Sequence, residues 1–393
     1  MGISSRNKLC SILISAMRCV AMLCVTGPIM QAFLASLGFD SQALYIHTTL
    51  VQLANVTTIM LCAGWADRGN LIRRSALVQL PHAMLYLGYL PLCMGAAPSL
   101  STFAAVTGIC LLQAICTALY VVCEYKLPYY IWKPEDYGPI SATSGIVAGV
   151  LSLLMGALIT KLAALMPYGQ LMLLACLSSL VMTVLSILLT LVMRPLPGTE
   201  TPLPTTQSAL PQLSILRDGL FLRLLPANLA RGFATGTTTV LAAVALELGH
   251  NEATITALVT CQSIATLVGC AVFGLAVSRL SPRWTTLIGA LFIIPLPLVL
   301  LGNATLFLAV YTLVILGRTF VDYSIPVILR FAVPAQIAGP YNAWRMLLHN
   351  GGTLLATTVA AFIPLEALLI VTVVLQVFAG ITYFADKATR QVV

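Results

Sequence analysis

Three arginines stand inside long apolar runs of this chain: Arg18, Arg231 and Arg318. A charge at mid-bilayer costs roughly 2.5 kcal/mol or more, so an ionisable residue within a membrane-crossing segment is a functional candidate. A guanidinium is a rigid fork of donors that holds a carboxylate or phosphate through two hydrogen bonds. Arg18 and Arg231 therefore make a candidate anion site, with one fork from each half of the chain. The alternative is that their long stems carry the charge toward the headgroups, or that each pairs internally. Arg318 and Asp322 are spaced i, i+4 and share a helix face, which suits an ion pair. That pair reads either as a structural closure of its helix end or as a gating or proton-coupling element. Glu124 is the corresponding acid of the first half and is expected at the water boundary. A further charged cluster, Asp67, Arg68, Arg73 and Arg74, falls in a short turn between two apolar segments.

Other chemistry is missing from the sequence. There is no G-x-S-x-G, no G-x-x-x-x-G-K-S/T and no pair of carboxylates spaced around a substrate. An enzyme is not expected, nor is a cofactor. The eleven cysteines fall almost wholly in apolar runs and form no C-x-x-C pair or Cys/His cluster. They read as small apolar residues, and no metal site is expected. The first apolar run is too long for a cleavable signal peptide, and Arg6 stands where a myristoylation pattern requires Ser or Thr.

The elements that position these residues follow from composition. The chain is 59% hydrophobic and 8% charged, against about 25% charged in soluble domains. Too little charge is present to cover a water-facing surface, so the chain reads as an all-α membrane protein in a lipid bilayer. Its net charge of +8 then reflects residues that orient the chain, not nucleic-acid binding. A helix needs about 20 apolar residues to cross. Twelve segments qualify: 9–37, 42–63, 75–96, 100–122, 139–161, 168–193, 220–247, 252–276, 284–302, 304–325, 341–363 and 365–385. With both termini in the cytoplasm, the lysines and arginines gather on the inner side and Lys161 alone falls outside, as the positive-inside rule requires. Five prolines between Arg194 and Gly219 mark a stiff, extended linker. The domains are thus 1–193, a linker at 194–219, and 220–393, each domain a bundle of six helices.

The two halves echo each other in the same order. Leu37-Gly38 matches Leu248-Gly249. The run Ala63-Gly64-Trp65-Ala66-Asp67-Arg68 after segment 2 matches Phe273-Gly274-Leu275-Ala276-Val277-Ser278-Arg279 after segment 8. Glu124-Tyr125-Lys126-Leu127-Pro128 after segment 4 matches Asp322-Tyr323-Ser324-Ile325-Pro326 after segment 10. Gly138-Pro139 matches Gly339-Pro340. Arg18 and Arg231 fall at matching depths in segments 1 and 7. Two parallel six-helix repeats are a transporter plan.

The loop at Ala63–Arg74 resembles the loop between helices 2 and 3 of the major facilitator superfamily, G-x-x-x-D-R-x-G-R-R/K. Here Ala63 stands at the first glycine position, with Gly64 one place late, and the basic pair Arg73 and Arg74 comes two places late. With the repeats, the resemblance covers the whole chain and implies 12 transmembrane helices as two pseudo-symmetric bundles. It also implies a central cavity lined by helices 1, 4, 7 and 10, which carry all three arginines. Gln31, Gln113, Tyr120, Thr235, Thr237, Thr238, Thr239 and Tyr311 fall on the same helices, as substrate ligands or as helix–helix bonds. His47, Asn55 and His349 lie off that wall and read as structural, with a proton relay open to a buried histidine. The superfamily's loop acid caps the start of helix 11, which assigns Asp67 and Arg68 to a latch there, with Arg345 a possible partner.

The function implied is secondary active transport of a small molecule by alternating access, in a monomer of a cell's inner membrane. Gradients of an ion, a proton or a counter-substrate would drive it, as no nucleotide site is present. One arginine on helix 1 and one on helix 7 is similar to the organophosphate:phosphate antiporters, which points to an organic anion or phosphate ester between Arg18 and Arg231. A symporter or exporter of a neutral or amphipathic solute, a transport-silent sensor and a lipid flippase are the alternatives. Gly145 and Gly149 form a G-x-x-x-G pair for close helix contact. No proline sits among them, unlike the helix-5 motif of drug/proton antiporters.

Overall fold

The computed structural model describes residues 2–25, 27–62, 70–95, 97–124, 127–133, 136–197, 213–276, 281–333 and 338–387, and every regular element in them is helical. All twelve predicted segments are found as helix. Segment 1 is α1 (Ile3–Val25) and α2 (Pro28–Ser36), and segment 2 is α3 (Ser41–Cys62). Segment 3 is α4 (Leu71–Leu85), a 3-10 turn at Tyr86–Tyr89, and α5 (Leu90–Cys93). Segment 4 is α6 (Leu100–Glu124), followed by the single turn α7 (Pro128–Ile131). Segments 5 and 6 are α8 (Tyr137–Ala163) and α9 (Tyr168–Val192). Segment 7 is α10 (Gly219–Thr239) and α11 (Leu241–Glu247), and segment 8 is α12 (Glu252–Ala276). Segment 9 is α13 (Pro282–Leu291) with a 3-10 turn at Leu296–Leu301. Segments 10 to 12 are α14 (Ala304–Ala332), α15 (Ala338–Ala360) and α16 (Leu365–Ala385).

The breaks fall in segments 1, 3, 7 and 9, which are equivalent positions of the two repeats. Gly27 breaks the first, at φ 60°, and Pro28 restarts the helix at its first position. A Cβ would strain that φ, and proline lacks an N–H that a first-turn residue does not use. In segment 7 the chain bends by 47° between α10 and α11. Pro295 and Pro297 deny segment 9 a continuous helix.

One expectation needs correction. Asp322 to Pro326 does not follow segment 10 but lies inside α14, which runs on to Ala332 through Pro326. Neighbouring helices tolerate such a proline in a membrane protein by satisfying the freed backbone groups. Of the twelve spans expected, ten helices among the described residues are long and apolar enough to cross, or eleven with the bent α10–α11 pair. α15 is not among them, since Asn342, Arg345, His349 and Asn350 dilute its apolar residues.

The chain divides into two compact units. Unit 1 holds Met1–Gly38 and Ala54–Pro211, and unit 2 holds Phe39–Leu53 and Gln212–Val393. In unit 1, α1 packs on α8 and α9, and α4 packs on α6 and α9. In unit 2, α10 packs on α15 and α16, and α13 packs on α14 and α16. The same four pairings recur, so the repeat legible in short motifs is a repeat of packing. Most of the expected linker, 198–212, lies outside the described residues. Its end forms a 3-10 turn, Leu213–Arg217, whose Ile215 is buried in the core of unit 2 beside Phe221 and Tyr341.

Between membrane helices there is little hydrophobic drive to pair, so small residues and hydrogen bonds hold the contacts. Ser179 Oγ donates to the Ala21 carbonyl at 2.9 Å in unit 1. Tyr383 Oη donates to Asn228 Oδ1 at 2.8 Å in unit 2. The closest crossing is α10 on α15. A Cβ on Gly232 would overlap the His349 carbonyl, and one on Gly352 would overlap the Leu229 carbonyl. Large apolar side chains such as Leu154, Leu188 and Val374 face outward, the inverse of a soluble protein and the surface lipid requires.

Candidate functional site

Each unit brings polar groups and an arginine that pairs with an acid to one small pocket, and the helices used are equivalent; the acid lines the pocket in unit 2 only. In unit 1 the pocket is walled by α1, α4, α6 and α9, with Tyr86 from the 3-10 turn after α4. In unit 2 it is walled by α10, α13, α14 and α16. The cavity volume is about 20 Å³ in unit 1 and about 10 Å³ in unit 2, so each is a niche about the size of one water.

The unit 1 pocket is lined by Arg18, Gln79, His82, Thr117, Tyr120 and Thr183 among others. Arg18 reaches across α6. Its Nη1 donates to Glu124 Oε2 at 3.2 Å, and its guanidinium carbon stands 3.3 Å from the centre of the Tyr120 ring. Tyr120 and Glu124 are spaced i, i+4 on α6, so one helix face supplies both the aromatic face and the carboxylate. The Glu124 side chain is 51% exposed. His82 Nε2 shares a hydrogen bond with Tyr86 Oη at 3.0 Å. The ion pair and the ring between them satisfy the Arg18 charge, and the pocket carries no excess charge from this pair.

The unit 2 pocket is lined by Arg231, Thr235, Thr238, Arg318, Asp322 and Gln376 among others. Arg231 Nη2 donates to Asp322 Oδ1 at 2.5 Å, and Arg318 Nε donates to Asp322 Oδ2 at 3.4 Å. Arg318 Nη1 donates to Thr238 Oγ1 at 3.1 Å, and that hydroxyl donates in turn to the Thr235 carbonyl at 2.7 Å. Arg231 is buried, with 8% of its side chain exposed, while Asp322 shows 35%. One carboxylate thus bridges two guanidiniums, leaving one positive charge in excess. The i, i+4 pair of Arg318 and Asp322 is present, but the shorter bond to Asp322 comes from Arg231, a partner the sequence reading did not assign to it. His349, read as structural and off the wall, lies within electrostatic range of Arg231, Asp322, Arg318 and Arg345. It is brought there by the glycine-lined crossing of α10 on α15.

The expected site residues therefore separate into groups. Arg18, Tyr120 and Glu124 come together, as do Arg231, Arg318 and Asp322. Gln31, Gln113 and Tyr311 line neither pocket. Gln31 is buried in α2. Gln113 accepts from Tyr89 Oη at 2.9 Å, and Tyr311 donates to Gln262 at 3.3 Å, both as links between helices. Thr237 bonds Thr372 at 2.8 Å, and Thr239 donates to the Thr235 carbonyl. His47 is buried in α3 and Asn55 is half-buried there. Asp67 and Arg68 lie outside the described residues. Arg345 is buried, and its Nε donates to Asn342 Oδ1 at 3.2 Å. Gln79, His82, Thr183 and Gln376 were not among the expected site residues, because uncharged polar candidates were confined to four helices; Thr117, on one of those four, was passed over. A search for any amide or imidazole amid apolar residues finds Gln79, His82 and Gln376.

No sequence family and no curated protein gives a significant match to the chain. Solved structures do. The nucleoside transporter NupG superposes with a TM-score of 0.70 at 14% identity, over 96% of this chain and 99% of that one. A bacterial homologue of the iron transporter ferroportin in its outward-facing state gives 0.68 at 14% identity, over 98% of each chain. The D-xylose-proton symporter gives 0.71 at 10% identity, again over 98% of each. At these identities the likeness shows the fold. It is the major facilitator fold, and the chain shares it along nearly its whole length.

Proposed function

We propose that the chain is a secondary active transporter that moves a small organic anion across the membrane by alternating access. The observation that carries this reading is the bridge of Arg231 and Arg318 by the single carboxylate of Asp322. Asp322 stands where a substrate carboxylate or phosphate would bind, and its side chain is open enough to yield the place. The excess positive charge favours an anion, and a charge-assisted hydrogen bond is worth about 1.5–3 kcal/mol. Arg18, by contrast, holds its own acid and ring, and in this reading it is a structural counterpart rather than a second fork on the same anion. Exchange of the substrate anion for Asp322, or protonation of Asp322 as the anion binds, would couple transport to a counter-anion or to protons. The three solved relatives are transporters by name, which agrees with transport and leaves the solute open. Both termini in the cytoplasm remains the orientation favoured by the lysines and arginines.

A second reading has an observation of its own. The unit 1 pocket presents Gln79, His82, Thr117 and Thr183 around an arginine already paired, which suits a neutral, hydroxyl-rich solute. Nucleoside and xylose, named for two of the relatives, are of that kind.

Thermal stability of the purified protein in detergent separates the two. The panel spans carboxylates, phosphate esters, neutral sugars, nucleosides and cationic drugs. A ligand that binds only the folded state stabilises it by about 2.7 kcal/mol at a hundredfold excess over Kd. Stabilisation by anions that is lost in Arg318→Gln supports the anion reading. Stabilisation by sugars or nucleosides alone, unchanged in Arg318→Gln, overturns it.

A further inference from the structure

We infer that Gln376 sets the substrate class of the unit 2 pocket: an anion that carries a hydroxyl beside its charged group. This rests on the anion reading above and narrows it. Gln376 lies on α16, a helix outside the expected cavity wall, yet its side chain lines the pocket with Arg231, Arg318 and Asp322. It is 5% exposed, and its Oε1 is buried with no hydrogen-bond donor among the described residues. Buried polar atoms nearly always find a partner, so a native exception calls for an occupant or a use.

Nearby hydroxyls have other partners. Thr372, one turn earlier on α16, donates to the Leu368 carbonyl at 2.7 Å and shares a bond with Thr237 at 2.8 Å. Thr238 accepts from Arg318 and donates to Thr235. The guanidiniums of Arg231 and Arg318 meet on Asp322. What the pocket offers a ligand is therefore a pair of cationic donors and one buried acceptor. The complement is a carboxylate or phosphate with an O–H donor close to it, as in a hydroxycarboxylate or a glycerol-type phosphate ester. An anion without that hydroxyl would fill the charge site and leave Oε1 unmet. A site built to bond a hydroxyl discriminates strongly against the analogue lacking it.

The test is a pair of matched affinities measured by calorimetry on the whole protein: malate against succinate, and glycerol 3-phosphate against propyl phosphate. Each pair differs in hydroxyl content at constant charge. Wild type should prefer the hydroxylated member of at least one pair by about tenfold or more. In Gln376→Met, which keeps length and removes the acceptor, that preference should fall to about twofold or less. Affinity for the member without the hydroxyl should hold or rise, since no acceptor is left unmet, and thermal unfolding in detergent close to that of wild type reports that the variant is folded. Equal affinities within both pairs for wild type overturn the inference and leave the anion reading standing. So does a preference that survives in Gln376→Met. Should no member of either pair bind wild type, the inference falls together with the anion reading. The wild-type comparison stands without any variant.

Discussion

The two units share one arrangement and differ most in the residue one turn before the acid. In each, an arginine on the first helix of the repeat reaches an acid on the fourth: Arg18 to Glu124, and Arg231 to Asp322. In each, the residue one turn before that acid faces the same arginine's surroundings. Unit 1 has Tyr120 there and unit 2 has Arg318. The tyrosine completes a neutral cluster whose acid is half exposed. The arginine leaves a cluster short of one negative charge, with its acid shared. The difference teaches that exchanging tyrosine for arginine one turn before the acid changes the charge balance of a duplicated frame, and the anion reading proposed above rests on that change.

Substitutions can break or sharpen this contrast, and the largest effect is expected at the helix crossing that supports unit 2. Gly232→Leu should prevent a stable fold, because a Cβ already meets the α15 backbone. Gly108→Ala on α6, where nothing lies within 4 Å, should leave stability within about 1 kcal/mol and on the favourable side of propensity. Thermal unfolding in detergent checks both. Next comes Arg231→Ala. Removing one partner of a buried pair costs about 3–5 kcal/mol. The half-open Asp322 and the remaining Arg318 place the loss near the lower figure, read from the same melts. Arg318→Tyr makes unit 2 like unit 1. It should keep the fold and weaken anion binding by about tenfold or more, the equivalent of one charge-assisted bond. Glu124→Gln should be the mildest, at about 1 kcal/mol or less, because its carboxylate is half exposed and surface pairs contribute little.

Much of this was legible in the sequence. The apolar runs locate the helices because the bilayer sets their length, and the charges within those runs mark both pockets at once. The i, i+4 spacing of Arg318 and Asp322 foretells their contact, since a single helix fixes it. Contacts between helices were less legible. Nothing in the spacing of Arg231 and Asp322, or of Arg18 and Glu124, says that they meet, although the echo of Glu124 in Asp322 held the hint. Pro326 was read as an end and proved to be interior, because a packed neighbour can replace the hydrogen bond a proline removes. Gln376 and His82 were passed over because an uncharged polar residue on an apolar helix gives no sign of which neighbour it faces.

The central claim is that the anion belongs to the pocket with two arginines. The most direct measurement is the calorimetric Kd of the best anion for wild type, Arg18→Gln and Arg318→Gln. The account predicts a loss of about tenfold or more in Arg318→Gln and a change of about threefold or less in Arg18→Gln, whose charge serves its own acid. Equal losses in both variants, or the larger loss in Arg18→Gln, would contradict it.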